Sequence, residues 1–147
     1  MLQIHASALG DVERHAVETY PHECCGVLLG RPGGPPWLAT RAARTKNLDT
    51  ERAGDRYLMD AGDRLAAEEA GRRDGLVVVG FYHSHPDHDA YFSATDLQRS
   101  EEYQFGEPWL PPSYAYLVVS VREGRVAARK AFVVDQGAAR EVEVAIV

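Results

Sequence analysis

The chain has 147 residues, with 16 Lys and Arg against 22 Asp and Glu, a formal net charge of −6 and 45% hydrophobic residues. That is one domain's worth of sequence, expected to span residues 1–147 and to build a core without disulfide or metal staples. An acidic chain is a poor partner for a phosphate backbone or an anionic membrane surface, and no apolar run approaches the ~18 residues of a membrane span, so nucleic-acid and membrane functions are set aside.

The first residues, Met1-Leu2-Gln3-Ile4-His5, lack the basic start and apolar block of a signal peptide. Ala6 to Tyr20 carries Leu9, Val12, Ala16 and Val17 at helical spacing, and Pro21 stops that helix. The only cysteines, Cys24 and Cys25, are adjacent and poorly placed for an ordinary disulfide. Together with the missing signal peptide, this predicts a cytoplasmic protein. Cys24–Leu29 is a short apolar run closed by Gly30 and reads as a buried strand, with Trp37–Ala43 as its hairpin partner across a Pro/Gly-rich turn.

Asp49–Arg56 is polar and irregular, and Tyr57-Leu58-Met59 reads as a short strand. Asp60 is placed to cap a helix running to about Arg73 with Ala61, Leu65, Ala66 and Ala70 on one face. Leu76–His83 is almost wholly apolar, as a central strand should be. Ser93 to about Phe105 has helical spacing through Leu97, and Tyr114–Val121 and Arg125–Val134 form a hairpin about Glu123-Gly124. Glu141–Val147 alternates Val142, Val144 and Ile146 as one last strand, which either closes the sheet or pairs in a homodimer. The sum is an α/β (α+β) domain, a mixed sheet with about three helices.

The chemistry concentrates in His83-Ser84-His85-Pro86 and Ser93-Ala94-Thr95-Asp96. Residues two apart on a strand share a face, so His83 and His85 can reach one metal ion. Asp96, one turn into the following helix, can supply a third ligand. Two His and a carboxylate leave one zinc position open, the pattern of a catalytic site. Such chemistry also needs a general base, for which Glu23 is the candidate, and an oxyanion donor, for which Ser93 is the candidate.

Each piece also has a plain structural reading. His-x-His on a strand is commonly incidental, Ser93 and Asp96 fit a helix N-cap, and a Glu at the lip of a strand is commonly a solvated charge. Asp87, His88 and Asp89 fit a solvated loop or a competing ligand, and Cys24 and Cys25 fit packing or thiolate ligation. Trp109 and Tyr114 fit either a substrate groove or local packing of a proline-rich loop.

Taken together, these segments resemble the JAMM/MPN+ metalloprotease family, in its compact prokaryotic form. The family pattern is an early Glu, then His-x-His-Pro, seven residues, and Ser-x-x-Asp; here Pro86 to Phe92 are those seven residues. Pro21–Gly30 resembles the family's Glu-bearing strand, and Asn47 and Tyr57–Asp60 resemble lesser landmarks, so the likeness runs from about residue 2 to 133. Phe92 departs from the Pro that many relatives carry before the Ser. The resemblance implies zinc held by His83, His85 and Asp96, Glu23 as the proton shuttle, and Ser93 as the oxyanion donor. It implies a curved sheet flanked by helices, like that of cytidine deaminases. It also implies hydrolysis of a peptide or isopeptide bond after the C-terminal Gly-Gly tail of a ubiquitin-like protein. The short connections resemble enzymes that process sulfur-carrier proteins by releasing a C-terminal amino acid, such as cysteine, or another group.

Three alternatives stand beside this reading. A non-catalytic MPN scaffold in a protein assembly would typically lack part of the five-residue set. A nucleobase deaminase needs a His-x-Glu or Cys-x-Glu segment and a Pro-Cys-x-x-Cys segment, both missing here. A structural zinc module needs a fourth protein ligand, with His88 or Cys25 as the candidates.

Overall fold

Alternating stretches of period-two and helical apolar spacing give eleven elements in the computed structural model, which describes residues 1–103 and 114–147. In chain order these are β1 (Leu2–Ile4), α1 (Ala6–Thr19), β2 (Cys25–Gly30), β3 (Trp37–Thr45), α2 (Ala61–Arg73), β4 (Val77–Pro86), α3 (Ala94–Tyr103), β5 (Ala115–Arg122), β6 (Arg125–Asp135), β7 (Ala138–Val142) and β8 (Val144–Ile146). The strands form one sheet in the order β7-β6-β5-β4-β2-β3-β1-β8. Pairing is antiparallel except where β4 meets β5 and where β1 meets β3 and β8.

β2 lies between β3 and β4 and is buried at every position. Covered on both faces, it reads as a continuous apolar run rather than an alternating one. Its side chains still alternate between two cores. Leu28 joins Leu9, Val12 and Ala16 of α1, with Ile4, Tyr82, Leu117 and Val133, on the inner face. Val27 and Leu29 join Phe81, Tyr116 and Ala67 of α2 on the outer face. Each fully buried Leu or Val contributes about 1.5–3 kcal/mol against the unfolded chain.

The last strand differs from the sequence expectation. Glu141–Val147 is not one strand but the end of β7, which pairs with β6, and then β8, which pairs with β1. These two strands sit at opposite ends of the sheet order, yet only Glu143 separates them, and its carbonyl accepts the Leu2 N–H at 2.8 Å. Both edges of the sheet therefore meet within one residue, and the sheet curls round α1. Period-two alternation marks a strand but carries no record of its partner, which is why the break at Glu143 is silent in the sequence. Within the chain, both pieces of this segment pair with its own strands.

Smaller differences have similar causes. Tyr57–Met59 forms a single bridge, Met59 to Asn47, rather than a strand. α2 buries Ala67 and Gly71 and leaves Leu65 54% exposed. Its approach is set by Gly71, where an added Cβ would lie 3.1 Å from a methyl of Leu29. Asp60 does cap α2, accepting the Gly62 N–H. The helix predicted to reach Phe105 is described to Tyr103, and Trp109 lies outside the described residues. Among the described residues no helix is long and apolar enough to cross a membrane.

Two glycines test this packing in opposite directions. A Cβ at Gly80, in β4, would meet the Ala115 carbonyl oxygen of β5 at 2.1 Å, whereas one at Gly10, inside α1, meets nothing within 4 Å. Gly80→Ala is expected to cost about 1–3 kcal/mol, and Gly10→Ala to stabilise by about 0.5–1 kcal/mol. Thermal or denaturant unfolding of both variants beside the wild type checks the sign of each.

Candidate metal centre

β4 sends alternate side chains to its two faces. Tyr82 turns inward toward α1, where its hydroxyl meets His15 Nδ1 at 2.7 Å. Ser84 takes the N–H of Cys24 on its hydroxyl. His83 and His85 share the outer face with Phe81. Strand β2 runs antiparallel alongside, with Cys25 opposite His83 and Cys24 bonded to Ser84. Continuing that register by one residue sets Glu23 against His85.

The third element is the start of α3. Ser93 is its N-cap: Ser93 Oγ accepts the Asp96 N–H at 3.0 Å, and Asp96 Oδ2 accepts the Ser93 N–H at 2.9 Å. This is a reciprocal capping box, with Asp in the place commonly held by Glu or Gln. The same Oδ2 lies 3.0 Å from His83 Nε2 and 3.1 Å from His85 Nε2, and the two Nε2 atoms are 3.1 Å apart. The structural reading of Ser93 and Asp96 and the ligand reading thus describe one geometry. Glu23 completes the group, with one ligand atom from each of the four residues inside 4.8 Å.

Neighbouring groups fix these side chains. His85 Nδ1 donates to the Asp89 carbonyl at 2.9 Å, which turns Nε2 toward the cluster. The Tyr57 ring stacks on His83 at 4.8 Å between centroids. The loop after Pro86 is held by Arg122 on the Asp89 carboxylate, by Ser120 on the His88 carbonyl, and by the Tyr20 hydroxyl donating to the Asp87 carboxylate. Asp87 and Asp89 are therefore engaged outside the cluster. Cys25 Sγ lies 3.2 Å from Thr45 Oγ1, and burial pushes both cysteine thiols up to about 12, so neither is a ready thiolate.

The electrostatics favour added positive charge. All four residues are buried. Burial pushes the Glu23 carboxyl up to about 8, and its Oε1 has no hydrogen-bond partner among the described residues. Burial also raises Asp96, but the two imidazoles outweigh it and hold that carboxyl far below the usual range. For His85, burial opposes the charged form, and the hydrogen bond and charge of Asp96 reverse the balance and raise it. Zinc bonds of about 2.0–2.1 Å at tetrahedral angles set ligand atoms roughly 3.3 Å apart, close to the observed 3.0–3.1 Å spacing. The donor set, its spacing and the orphaned Glu23 oxygen all fit a small divalent cation.

Two hollows flank Glu23. One, of ≈ 220 Å³, is bordered by Glu23, His85 and Ser93 and by Arg52, Arg56 and His88. The other, of ≈ 900 Å³, lies by α1 and the end of β3, and of the four cluster residues only Glu23 borders it. His88 reaches the small cleft but not the cluster. Sequence reasoning read Tyr57 only as part of a landmark segment, and missed Arg52, Arg56 and the Asp89 carbonyl. The last acts through its backbone and leaves no residue-type signature.

The Glu23 shift has a measurable sign. A carboxyl whose pKa rises on folding stabilises the fold below its unfolded value of 4.5, and that contribution is lost as pH climbs through about 8. In metal-free protein, Glu23→Gln is expected to lose less stability than wild type across that window. Denaturant midpoints over a pH series check this, and parallel curves contradict it.

Residues 5–132 match the family model described as prokaryotic homologs of the JAB domain. A protein of Mycobacterium tuberculosis named CysO-cysteine peptidase is 30% identical over 148 aligned positions, covering 100% of this chain and 92% of that protein. A Haloferax volcanii protein named desampylase is 34% identical over 133 positions, covering 88% of this chain and 86% of its own. A solution structure from Desulfitobacterium hafniense superposes with a TM-score of 0.81 at 27% identity, covering 100% of this chain and 93% of that one. With the matched segment running from the start of α1 to β6, the chain belongs to the prokaryotic JAB-domain family.

Proposed function

We propose that this protein is a zinc-dependent peptidase that hydrolyses the bond after the C-terminal Gly-Gly tail of a ubiquitin-like or sulfur-carrier protein. The observation that carries the reading is the convergence of His83, His85 and Asp96 at 3.0–3.1 Å, with a buried, unpartnered Glu23 oxygen beside them at a cleft. The names of the Mycobacterium tuberculosis and Haloferax volcanii relatives support the substrate class.

His83, His85 and Asp96 would hold the metal. When bound, zinc supplies a Lewis acid that lowers the pKa of water to about 7 and polarises a carbonyl oxygen. Glu23 takes the proton of the attacking water and hands it to the departing amine. Glu23 lies in the cluster and borders the cleft, so it can reach both the attacking water and the departing amine. Ser93 accepts from the Asp96 N–H, so its own hydroxyl hydrogen remains available for a developing oxyanion. The half-buried Phe92, its ring tilted against those of Tyr116 and Phe132, takes the place of the Pro found in many relatives just before Ser93.

Native mass spectrometry is expected to find one zinc ion per chain in wild type and in Glu23→Ala, and none in His85→Ala. Metal-loaded wild type should cleave a ubiquitin-fold carrier extended beyond Gly-Gly, read by product mass, and Glu23→Ala should leave it intact. Metal binding without cleavage of any such carrier would sink the peptidase reading. Ser93→Ala should slow turnover by roughly 10²–10³-fold with metal retained. If Ser93 acts only as a cap, the same variant loses about 1 kcal/mol of stability and keeps its rate.

A further inference from the structure

Glu23 lies in the connection between α1 and β2, and its Oε1 has no hydrogen-bond partner among the described residues. A carboxylate oxygen that no hydrogen bond steers depends on its backbone for its place. That backbone is held by the chain that follows β3. The Glu23 N–H donates to the Ala53 carbonyl, and the Glu23 carbonyl accepts from Asn47 Nδ2 at 3.2 Å.

Asn47 is the hub of this arrangement. A primary amide carries two N–H donors and an oxygen with two lone pairs. Here Nδ2 donates to the carbonyls of Glu23 and Arg56, at 3.2 and 3.1 Å, and Oδ1 accepts the N–H groups of Asp49 and Leu58, at 3.0 and 2.9 Å. All four places are filled. The loop between β3 and α2 is therefore closed at both ends on the side chain that also holds Glu23. That loop walls the site: Ala53 borders the larger hollow, Asp55 and Arg56 border the smaller, and Glu23 borders both. The two halves of the amide are separable, since the oxygen gathers the loop and the nitrogen ties it to Glu23.

We propose that Asn47 is a positioning residue for the general base: its amide N–H fixes the Glu23 backbone beside the metal cluster, so that the carboxylate meets the reacting water in one geometry. This deepens the peptidase reading and rests on it. Asn47 is not one of the four cluster residues and acts through Glu23. A displacement of about 1 Å in a reacting group can cost on the order of 10²-fold in rate, which makes the hold on one carbonyl kinetically visible.

The test compares the full zinc-loaded chain with Asn47→Asp and Asn47→Ala. Asp keeps an acceptor for the Asp49 and Leu58 N–H groups and lacks the N–H that holds Glu23; Ala lacks both and adds no charge. On a ubiquitin-fold carrier extended beyond Gly-Gly, both variants are expected to lose about 10–100-fold in kcat, with KM within about threefold of wild type. Zinc content by native mass spectrometry should stay at one ion per chain. If Asn47 only closes the loop, Asn47→Asp keeps the wild-type kcat, and that result overturns the proposal; so does a loss confined to KM or to zinc content. A second readout needs no turnover. Amide hydrogen exchange at Glu23 should quicken at least about tenfold in Asn47→Asp, while the amides of Val27 and Leu28 in β2 keep their protection. Unchanged exchange at Glu23 overturns the proposal whatever the kinetics. A wild type that cleaves no carrier, beside a Glu23 amide freed in Asn47→Asp, would fault the peptidase reading and leave the hold of Asn47 on Glu23 standing.

Discussion

A buried carboxylate oxygen held 3.0–3.1 Å from two imidazole nitrogens is stabilised by positive charge among them. Much of the surrounding structure serves to keep those atoms there. β4 supplies two ligands because a strand repeats every second residue, and β2 runs alongside in the register that brings Glu23 to the same face. The loop after Pro86 is pinned at three places, so the Asp89 carbonyl can orient one imidazole. In metal-free protein, protons on His85 and Glu23 are the available substitute for a cation, consistent with both groups being raised above their usual values.

Asp96 carries two duties with a single oxygen. It caps α3 and faces the histidines, so helix formation and assembly of the cluster are one event. This is why the capping and ligand readings of Ser93-Ala94-Thr95-Asp96 could not be separated from the sequence: both require an acidic side chain three residues after a hydroxyl at the start of a helix. Glu23 is the opposite case. Most glutamates at the lip of a strand are solvated, and nothing in its own type marks it as buried. Its neighbours settle the matter, through the Ser84 hydroxyl on Cys24 and the Cys25–His83 pairing.

What was legible in the sequence was local. A continuous apolar run marked β4, strand geometry set its two histidines on one face, and Asp60 and Ser93 marked the starts of α2 and α3. What was not legible required knowing which strand lies beside which. The division of Glu141–Val147 between two sheet edges leaves its alternation intact. The buried face of α2 turned out to be Ala67 and Gly71 because closeness to Leu29, rather than side-chain size, decides its approach. The cleft rim escaped notice for a related reason: Arg52 and Arg56 sit in a polar stretch that reads as an ordinary surface loop until the fold lays it over the cluster.

The meeting of the sheet's edges at Glu143 also bears on how the molecule forms and comes apart. Leu2 pairs with Val144, so the seam joins the two ends of the sequence. A contact between such distant positions carries a large loop-closure entropy until the intervening chain is ordered. High contact order of this kind places the ring among slow-forming topologies, with the seam closing after the β2–β4 and β5–β6 pairs are in place. It is also a natural line of local opening. β8 is three residues long and held on one side by β1, so its amide hydrogens should exchange with solvent well before those of β2, leaving the histidine-bearing end of β4 undisturbed while the far side of the ring breathes.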